Sequence, residues 1–209
     1  MKVIAAIAVA TMLTAASSAA EDAAQTTVAV ADQSAAQAGA TNYVSDLVGT
    51  LSELAATPQG AEREAGLAAV LRDRIATRRM QRYILSPKYR REASEAQLAS
   101  YDELFEDYIV AEWAGQIDSL VTRTIDVREA VEVKPGDIVV RSKILNARGS
   151  ERASVDWRVL DIDGEMKLVD VMINGASFNV DRRAQISALI ANQGFDALLA
   201  HMEESIGVS

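Results

Sequence analysis

The chain contains no cysteine, one histidine and three prolines among its 209 residues, and only 5% of its residues are aromatic. Without cysteine, the fold uses no disulfide, no thiol can act as a nucleophile, and no cysteine can carry a lipid anchor. His201 is the only histidine, and we expect it on the surface of the last helix. Serine or cysteine triads and zinc sites with the usual nitrogen and sulfur ligands are therefore disfavoured.

Acidic residues outnumber basic ones, and the formal net charge at pH 7 is −9. A uniformly acidic chain is not drawn electrostatically to nucleic acid or to an anionic membrane surface, so we expect no nucleic-acid partner. The glycines are scattered and form no phosphate-cradling loop. We expect no cofactor, no metal and no catalytic residue.

The first twenty residues have the order of a signal peptide. Lys2 precedes an apolar run over residues 3–13 that is too short to span a bilayer, and Ser18 and Ala20 are small residues of the kind that signal peptidase requires. We predict a signal peptide over residues 1–20, cleaved after Ala20 or alternatively after Ala19, and a periplasmic protein. An uncleaved N-terminal anchor is the alternative. Residues 21–40 are alanine-rich without a helical stripe and are predicted to form a flexible tail.

Apolar residues recur at helical spacing from residue 41 onwards, where a single domain over residues 41–209 is expected to begin. One helix ends before Pro58, a second covers residues 67–75, and a short third one ends at Pro87. Ser94 and Gln97 form a capping box that opens the longest helix. The apolar face of that helix carries Leu98, Tyr101, Phe105, Tyr108 and Ile109.

The period changes to two at residue 124, and four strands follow with hairpin-length links. They are expected near residues 124–133, 138–145, 155–159 and 166–173, and helices over residues 181–192 and 196–205 complete the chain. The predicted class is α+β, with N-terminal helices, a four-stranded antiparallel meander and C-terminal helices. Because a curved sheet against a helical layer readily leaves a cone-shaped space, we expect an enclosed apolar cavity.

Two carboxylate features have a functional and a structural interpretation. Asp170 lies inside an apolar strand and could act as the general base of a cone-fold isomerase or hydratase, as a buried carboxylate with a raised pKa. We favour a structural, hydrogen-bonding role because no partner base or electrophile accompanies it. The acidic residues at 102, 103, 106 and 107 could bind a metal ion, but they match a solvated helix face better.

Two regions resemble the MlaC family, the toluene-tolerance auxiliary transport components. The first comprises residues 79–85, the segment 89–94, Gln97 and the aromatic helix over residues 101–108. The second is the pattern Val-Asp-Val-x-Ile-x-Gly-x-Ser over residues 169–177, followed by Arg-x-Gln at 183–185 and Gly-x-Asp-x-Leu at 194–198. The combination is specific to the family, whereas no single element would be.

The resemblance implies a periplasmic phospholipid-binding protein that is not an enzyme. Such a protein shuttles lipid between an inner-membrane ABC transporter complex and an outer-membrane lipoprotein complex, and so maintains outer-membrane lipid asymmetry. A non-lipid interaction module is a further alternative. The resemblance also implies a deep apolar cavity for the acyl chains, with the head group near its mouth. The apolar faces that would line this cavity comprise Leu67, Val70, Leu71, Ile75, Met80, Tyr83, Ile84, Tyr101, Phe105, Tyr108, Val155, Trp157, Val159, Val169, Val171 and Ile173.

One basic cluster stands out in this acidic chain, and three of its members are candidates for contact with a lipid head group or with an acidic partner protein. They are Arg79, Arg82 and Arg90. The alternative is that they form only the polar side of the third helix and its loop.

Overall fold

The computed structural model describes residues 15–121 and 123–207, with side chains described from residue 34 onwards except for 116 and 118–122. Residues 1–14 of the expected signal peptide lie outside this range. Residues 37–209 form one compact unit, and the residues up to Ala36 belong to a separate unit. No helix of the described part is long and apolar enough to cross a bilayer.

Five of the described helices precede the sheet and two follow it. They are α1 (Ala15–Ala56), α2 (Ala61–Arg74), α3 (Thr77–Ile84), α4 (Pro87–Glu92), α5 (Glu95–Val121), α6 (Phe178–Gln193) and α7 (Phe195–Ser205). The expected tail over residues 21–40 is helical as part of α1, which departs from the sequence interpretation. Alanine is the strongest helix former, so an alanine-rich segment can be helical without an apolar stripe.

Local sequence sets the helix boundaries. The capping box is present at the start of α5, where the Ser94 backbone N–H donates to the Gln97 side chain at 3.0 Å and the Gln97 N–H donates to Ser94 Oγ at 3.2 Å. Pro87 begins the short helix α4, which the sequence interpretation missed; a proline is tolerated at that first position because its missing N–H would have no partner there. Ser177 caps α6 by accepting from the Val180 N–H at 3.1 Å.

Five strands form an antiparallel sheet in the order of the chain. They are β1 (Thr124–Lys134), β2 (Asp137–Leu145), β3 (Glu151–Ile162), β4 (Glu165–Ile173) and β5 (Ala176–Ser177). The predicted meander of four strands is confirmed, and the two-residue β5 is an addition. Asn174 and Gly175 connect β4 to β5 with φ of 50° and 81°, the positive angles that a two-residue hairpin turn requires.

Two β-bulges change which residues face the helices. In β1 the register shifts between Val127 and Ala130, so Val131 turns to the opposite face from Val127, and a second shift between Glu132 and Lys134 leaves Val133 unpaired and 57% exposed. In β4 the shift leaves Val169 as the extra residue, since Arg158 pairs with Asp170 while Val159 pairs with Leu168. The simple alternation expected for these strands is therefore wrong at both places.

The apolar core lies between the helices and one face of the sheet, which we call the inner face. Val155, Trp157 and Val159 on β3 are fully buried on this face, as are Ile138 and Val140 opposite them on β2. Trp157 donates to Ser142 Oγ at 2.9 Å, and Ser142 donates to the Val155 carbonyl at 2.6 Å, so the buried polar atoms of this face are paired.

The helical layer is attached to the free edge of β4. The Ala76 N–H donates to the Leu168 carbonyl at 2.9 Å, and Ile75 forms an isolated parallel bridge with Leu168. Further along the same edge, the Asn179 side-chain amide donates to the Val169 carbonyl at 2.6 Å. These bonds hold the segment between α2 and α3, and the start of α6, beside the strand that separates the candidate sites described below.

Candidate functional site

A pocket with both apolar and polar lining residues opens between the inner face of β4 and helices α5 and α6; we call it the seam pocket. Its volume is about 170 Å³. Apolar side chains form its wall and polar ones its rim. The lining residues are Trp113, Ile117, Val171, Ile173, Ala176, Phe178, Asp181, Arg182 and Gln185.

The seam pocket is continuous with the buried inner face because of strand pairing. Val171 lies directly opposite Trp157, and Ile173 lies directly opposite Val155. The bulge at Val169 matters here, because it places Leu168 on the same face as Val171 and Ile173. A ligand that enters between α5 and β4 would therefore meet apolar side chains of two strands in succession.

A partly buried ion pair lies at the rim of this pocket. Arg182 of α6 and Glu112 of α5 form a salt bridge, with side chains 11% and 21% exposed. The Arg182 guanidinium also lies 5.3 Å from the centre of the Phe178 ring and 5.8 Å from that of Tyr108. Burial raises the pKa of Tyr108 to about 12, although the Arg182 charge opposes this shift, so Tyr108 stays neutral at physiological pH.

Three polar atoms near this rim are buried and unpaired among the described residues. They are the indole Nε1 of Trp113, the Nε of Arg182 and the Tyr108 hydroxyl. Unpaired buried donors are uncommon in folded proteins. Trp113 itself is only 2% exposed and packs edge-on against Phe178, with ring centres 5.2 Å apart.

A second, polar pocket lies between α3 and α5, and we call it the arginine pocket. Its volume is about 440 Å³. It brings Arg78, Arg82 and Arg90 together above the buried ring of Phe105, with Asp102 and Glu106 also in its wall. The Nη2 atom of Arg90 is buried there without a partner among the described residues. Of the three predicted arginines, Arg82 and Arg90 thus share a pocket.

Arg79 lies in a third pocket, which we call the Asp170 pocket, on the face of the sheet opposite Trp157. Its volume is about 410 Å³. Its wall includes Met80, Tyr83 and Val169 from the set expected to line the lipid cavity. The other lining residues are Arg158, Leu160, Asp170, Met172, Ser177, Asn179 and Val180.

Asp170 is 7% exposed and acts as a connector between β4 and α6. Its carboxylate accepts from the Ser177 hydroxyl at 2.5 Å, from the Val171 N–H at 3.0 Å and from the Asn179 N–H at 3.1 Å. Burial raises the pKa of Asp170, and these hydrogen bonds together with the nearby Arg158 charge counter the shift. Asp170 therefore makes the hydrogen bonds of the structural role that the sequence favours.

Arg158 lies beside Asp170 on the same face, but its hydrogen bonds are to a different carboxylate. It donates to the two oxygens of Asp137 at 2.8 and 2.7 Å. This bidentate bond lowers the pKa of Asp137 although the carboxyl group is buried. Asp137 and Arg158 thereby tie the start of β2 to β3.

Most of the side chains expected to line a cavity are buried in the core. Val70 is half-buried and Tyr83 is 42% exposed, and the others are buried or half-buried. Val169 departs from the expected grouping, since its pocket is on the Asp170 side while Val171 and Ile173 line the seam. The sequence interpretation missed Trp113 and Ile117, although Ile109, Trp113 and Ile117 recur every four residues along α5.

Other candidate groups have structural surroundings. His201 is half-buried with its ring 6.0 Å from that of Tyr108, and is less exposed than the expected surface position. Asp107 and Glu106 of the acidic cluster are exposed and pair with Arg72. Within the part of the chain whose side chains are described, no three His, Asp or Glu residues are grouped so as to hold a metal ion.

The architecture is that of an α+β protein whose helices cover one face of an antiparallel meander. The model of the MlaC protein family matches residues 41–204, and the chain therefore belongs to that family, as its sequence motifs predict. No curated protein matches it. Its fold is similar to that of a phospholipid-binding protein from Ralstonia solanacearum, solved in complex with a phospholipid. The two are 19% identical with a TM-score of 0.61, over 82% of this chain and 97% of that one.

Proposed function

We propose that this chain is a periplasmic phospholipid-binding shuttle of an intermembrane transport system. It receives lipid from, or delivers it to, an inner-membrane ABC transporter complex and an outer-membrane lipoprotein complex, and so contributes to outer-membrane lipid asymmetry. Membership of the MlaC family is the observation that carries this proposal. The seam pocket supports it, because a carrier needs an apolar space with a polar mouth.

The energetic reason for such a carrier is the cost of acyl chains in water. Each buried methylene contributes ~0.8 kcal/mol, so two chains with about thirty methylenes would cost on the order of 20 kcal/mol to expose. The seam supplies part of a matching surface, since Val171 and Ile173 line it and lie directly opposite Trp157 and Val155.

The seam pocket, at about 170 Å³, is smaller than the ~300–1,000 Å³ typical of ligand pockets. Two acyl chains therefore require α5 and α6 to move away from β4, and the bound form is a widened seam. Loading then replaces contacts between helix and sheet with contacts to lipid. Because one set of contacts replaces the other, the free energies of the empty and the loaded protein stay close enough for the lipid to be released to a partner.

The arginine pocket suits the second task of a shuttle, which is to bind a partner protein. The sequence predicts that Arg82 and Arg90 contact a head group or an acidic partner, and both line this pocket. We assign them to the acidic partner, since three arginines converge there in a protein of net charge −9. Arg79, in the Asp170 pocket, is assigned to the same role.

Transfer of phospholipid between vesicles tests the proposal. Donor vesicles carrying a fluorescent phospholipid and a quencher are mixed with unlabelled acceptor vesicles, and the purified chain over residues 21–209 is added. We expect the rate of dequenching to rise in proportion to protein concentration. A rate equal to that of vesicles alone, with folded protein present, contradicts the shuttle and favours the interaction module.

The isomerase alternative keeps one supporting observation, since Asp170 has a raised pKa beside a pocket of about 410 Å³. Asp170→Asn separates the two functions. The shuttle predicts that a folded Asn variant carries as much lipid as the wild type, because the seam is on the other face. Loss of a measurable turnover, with lipid binding unchanged, would establish the enzyme.

A further inference from the structure

The mouth of the seam pocket carries charges of both signs. Arg182 is the cation, and its one described ion pair is with Glu112. Asp181, the neighbouring residue on α6, is exposed, lines the same pocket and makes no ion pair within the described residues. Among the described side chains, Arg182 brings one positive charge to this mouth, and Asp181 together with Glu112, the partner of Arg182, brings two negative ones.

The donors at this mouth are not fully used. A guanidinium has five N–H donors, and Glu112 is the one side-chain acceptor that the described residues provide for Arg182. Among the described residues, the Nε of Arg182 and the Nε1 of Trp113 are both buried without a hydrogen-bond partner. A phosphodiester oxygen in the pocket can accept from the Nη groups of Arg182, which lines it, whereas the two buried nitrogens have no surface open to the pocket.

The charge balance restricts what that phosphodiester can be attached to. An anionic head group would bring its negative charge towards Asp181 and Glu112, which Arg182 offsets in part, and the repulsion would oppose binding. A zwitterionic head group adds an ammonium, which Asp181 and Glu112 can pair with.

We propose that the seam mouth selects zwitterionic phospholipids, with the phosphate at Arg182 and the ammonium at Asp181 and Glu112. The inference rests on the proposed function, since it names the head group of the lipid whose chains enter the seam. Arg182 here has the role of a phosphate ligand that remains paired with Glu112, and Asp181 has the role of the selective residue.

Competitive loading tests the inference. Protein freed of lipid is incubated with vesicles of equal phosphatidylethanolamine and phosphatidylglycerol, re-purified, extracted with organic solvent and measured by lipid mass spectrometry. We expect bound phosphatidylethanolamine to exceed phosphatidylglycerol by roughly fivefold, the factor that a partly exposed ion pair supplies. In Asp181→Asn the ratio should fall towards one.

Asp163→Asn is the matched control, because Asp163 is exposed in the turn between β3 and β4 and the substitution removes the same charge. Its ratio should equal that of the wild type. Equal binding of the two lipids by the wild type, or an unchanged ratio in Asp181→Asn, overturns the head-group inference while the bound lipid still supports the shuttle. Absence of both lipids from folded protein overturns the shuttle and the inference together.

Discussion

Ile173 and Val159 lie on the same face of the sheet, yet a tryptophan should act differently at each. Val159 is fully buried and lies between Ile138 and Leu168, which are also fully buried. Overpacking such a site costs ~1–3 kcal/mol. At ~2–4 °C per kcal/mol for a domain of this size, Val159→Trp should lower the Tm of lipid-free protein by about 2–12 °C.

Ile173 is half-buried and lines the seam pocket, so the indole of Ile173→Trp can occupy existing space. Its effect on stability should stay within ~0.5 kcal/mol, about 2 °C. The same indole displaces acyl chain, and losing contact with even two buried methylenes costs ~1.6 kcal/mol, more than tenfold in affinity. The affinity for phospholipid should therefore fall at least tenfold in Ile173→Trp, with less co-purified lipid per folded protein, and remain unchanged in Val159→Trp.

The assay pairs phosphate analysis of extracted lipid with thermal unfolding of the delipidated protein. If Ile173→Trp carries as much lipid as the wild type while folding normally, the seam is not the route of the acyl chains. If Ile173→Trp unfolds as readily as Val159→Trp, the seam is a filled core rather than a space.

Three further predictions concern the supports of the site. Ser177→Ala should cost ~1–2 kcal/mol in urea unfolding, because it removes the α6 cap and a donor to Asp170. Arg158→Ala should cost ~1–3 kcal/mol, since it leaves the buried Asp137 carboxylate without its bidentate partner, and an unchanged denaturation midpoint would refute this. The raised pKa of Asp170 means that its contribution to stability is present below the unfolded pKa and lost as pH rises through the folded value. The stability of the wild type relative to Asp170→Asn should therefore increase between pH 7 and pH 4, and a difference that shrinks on acidification would contradict that sign.

Periodicity and turn chemistry predicted the order of the elements well. The α5 face with Tyr101, Phe105 and Tyr108 is buried as expected, because helical spacing places those rings on one side. The Asn174-Gly175 turn and the Ser177 cap form as their residue types require. These features depend on neighbours in the chain, and for that reason the chain alone reveals them.

Features that depend on distant pairing were not predictable in the same way. The bulge at Val169 arises from the register between β3 and β4, and it reverses which face the following residues occupy. The meeting of Glu112 with Arg182, seventy positions apart, depends on how α6 packs beside α5. Sequence motifs identified the family, while the rim of the seam pocket emerged only from the packed fold.

Native mass spectrometry of the protein purified without detergent tests the central claim most directly. The account predicts a folded species heavier than the apoprotein by the mass of one phospholipid, which gentle activation releases as intact lipid. Stoichiometric loss of that added mass in Ile173→Trp would place the lipid in the seam. A wild-type spectrum showing only the mass of the apoprotein, under conditions that preserve lipid complexes of other carriers, would contradict the account.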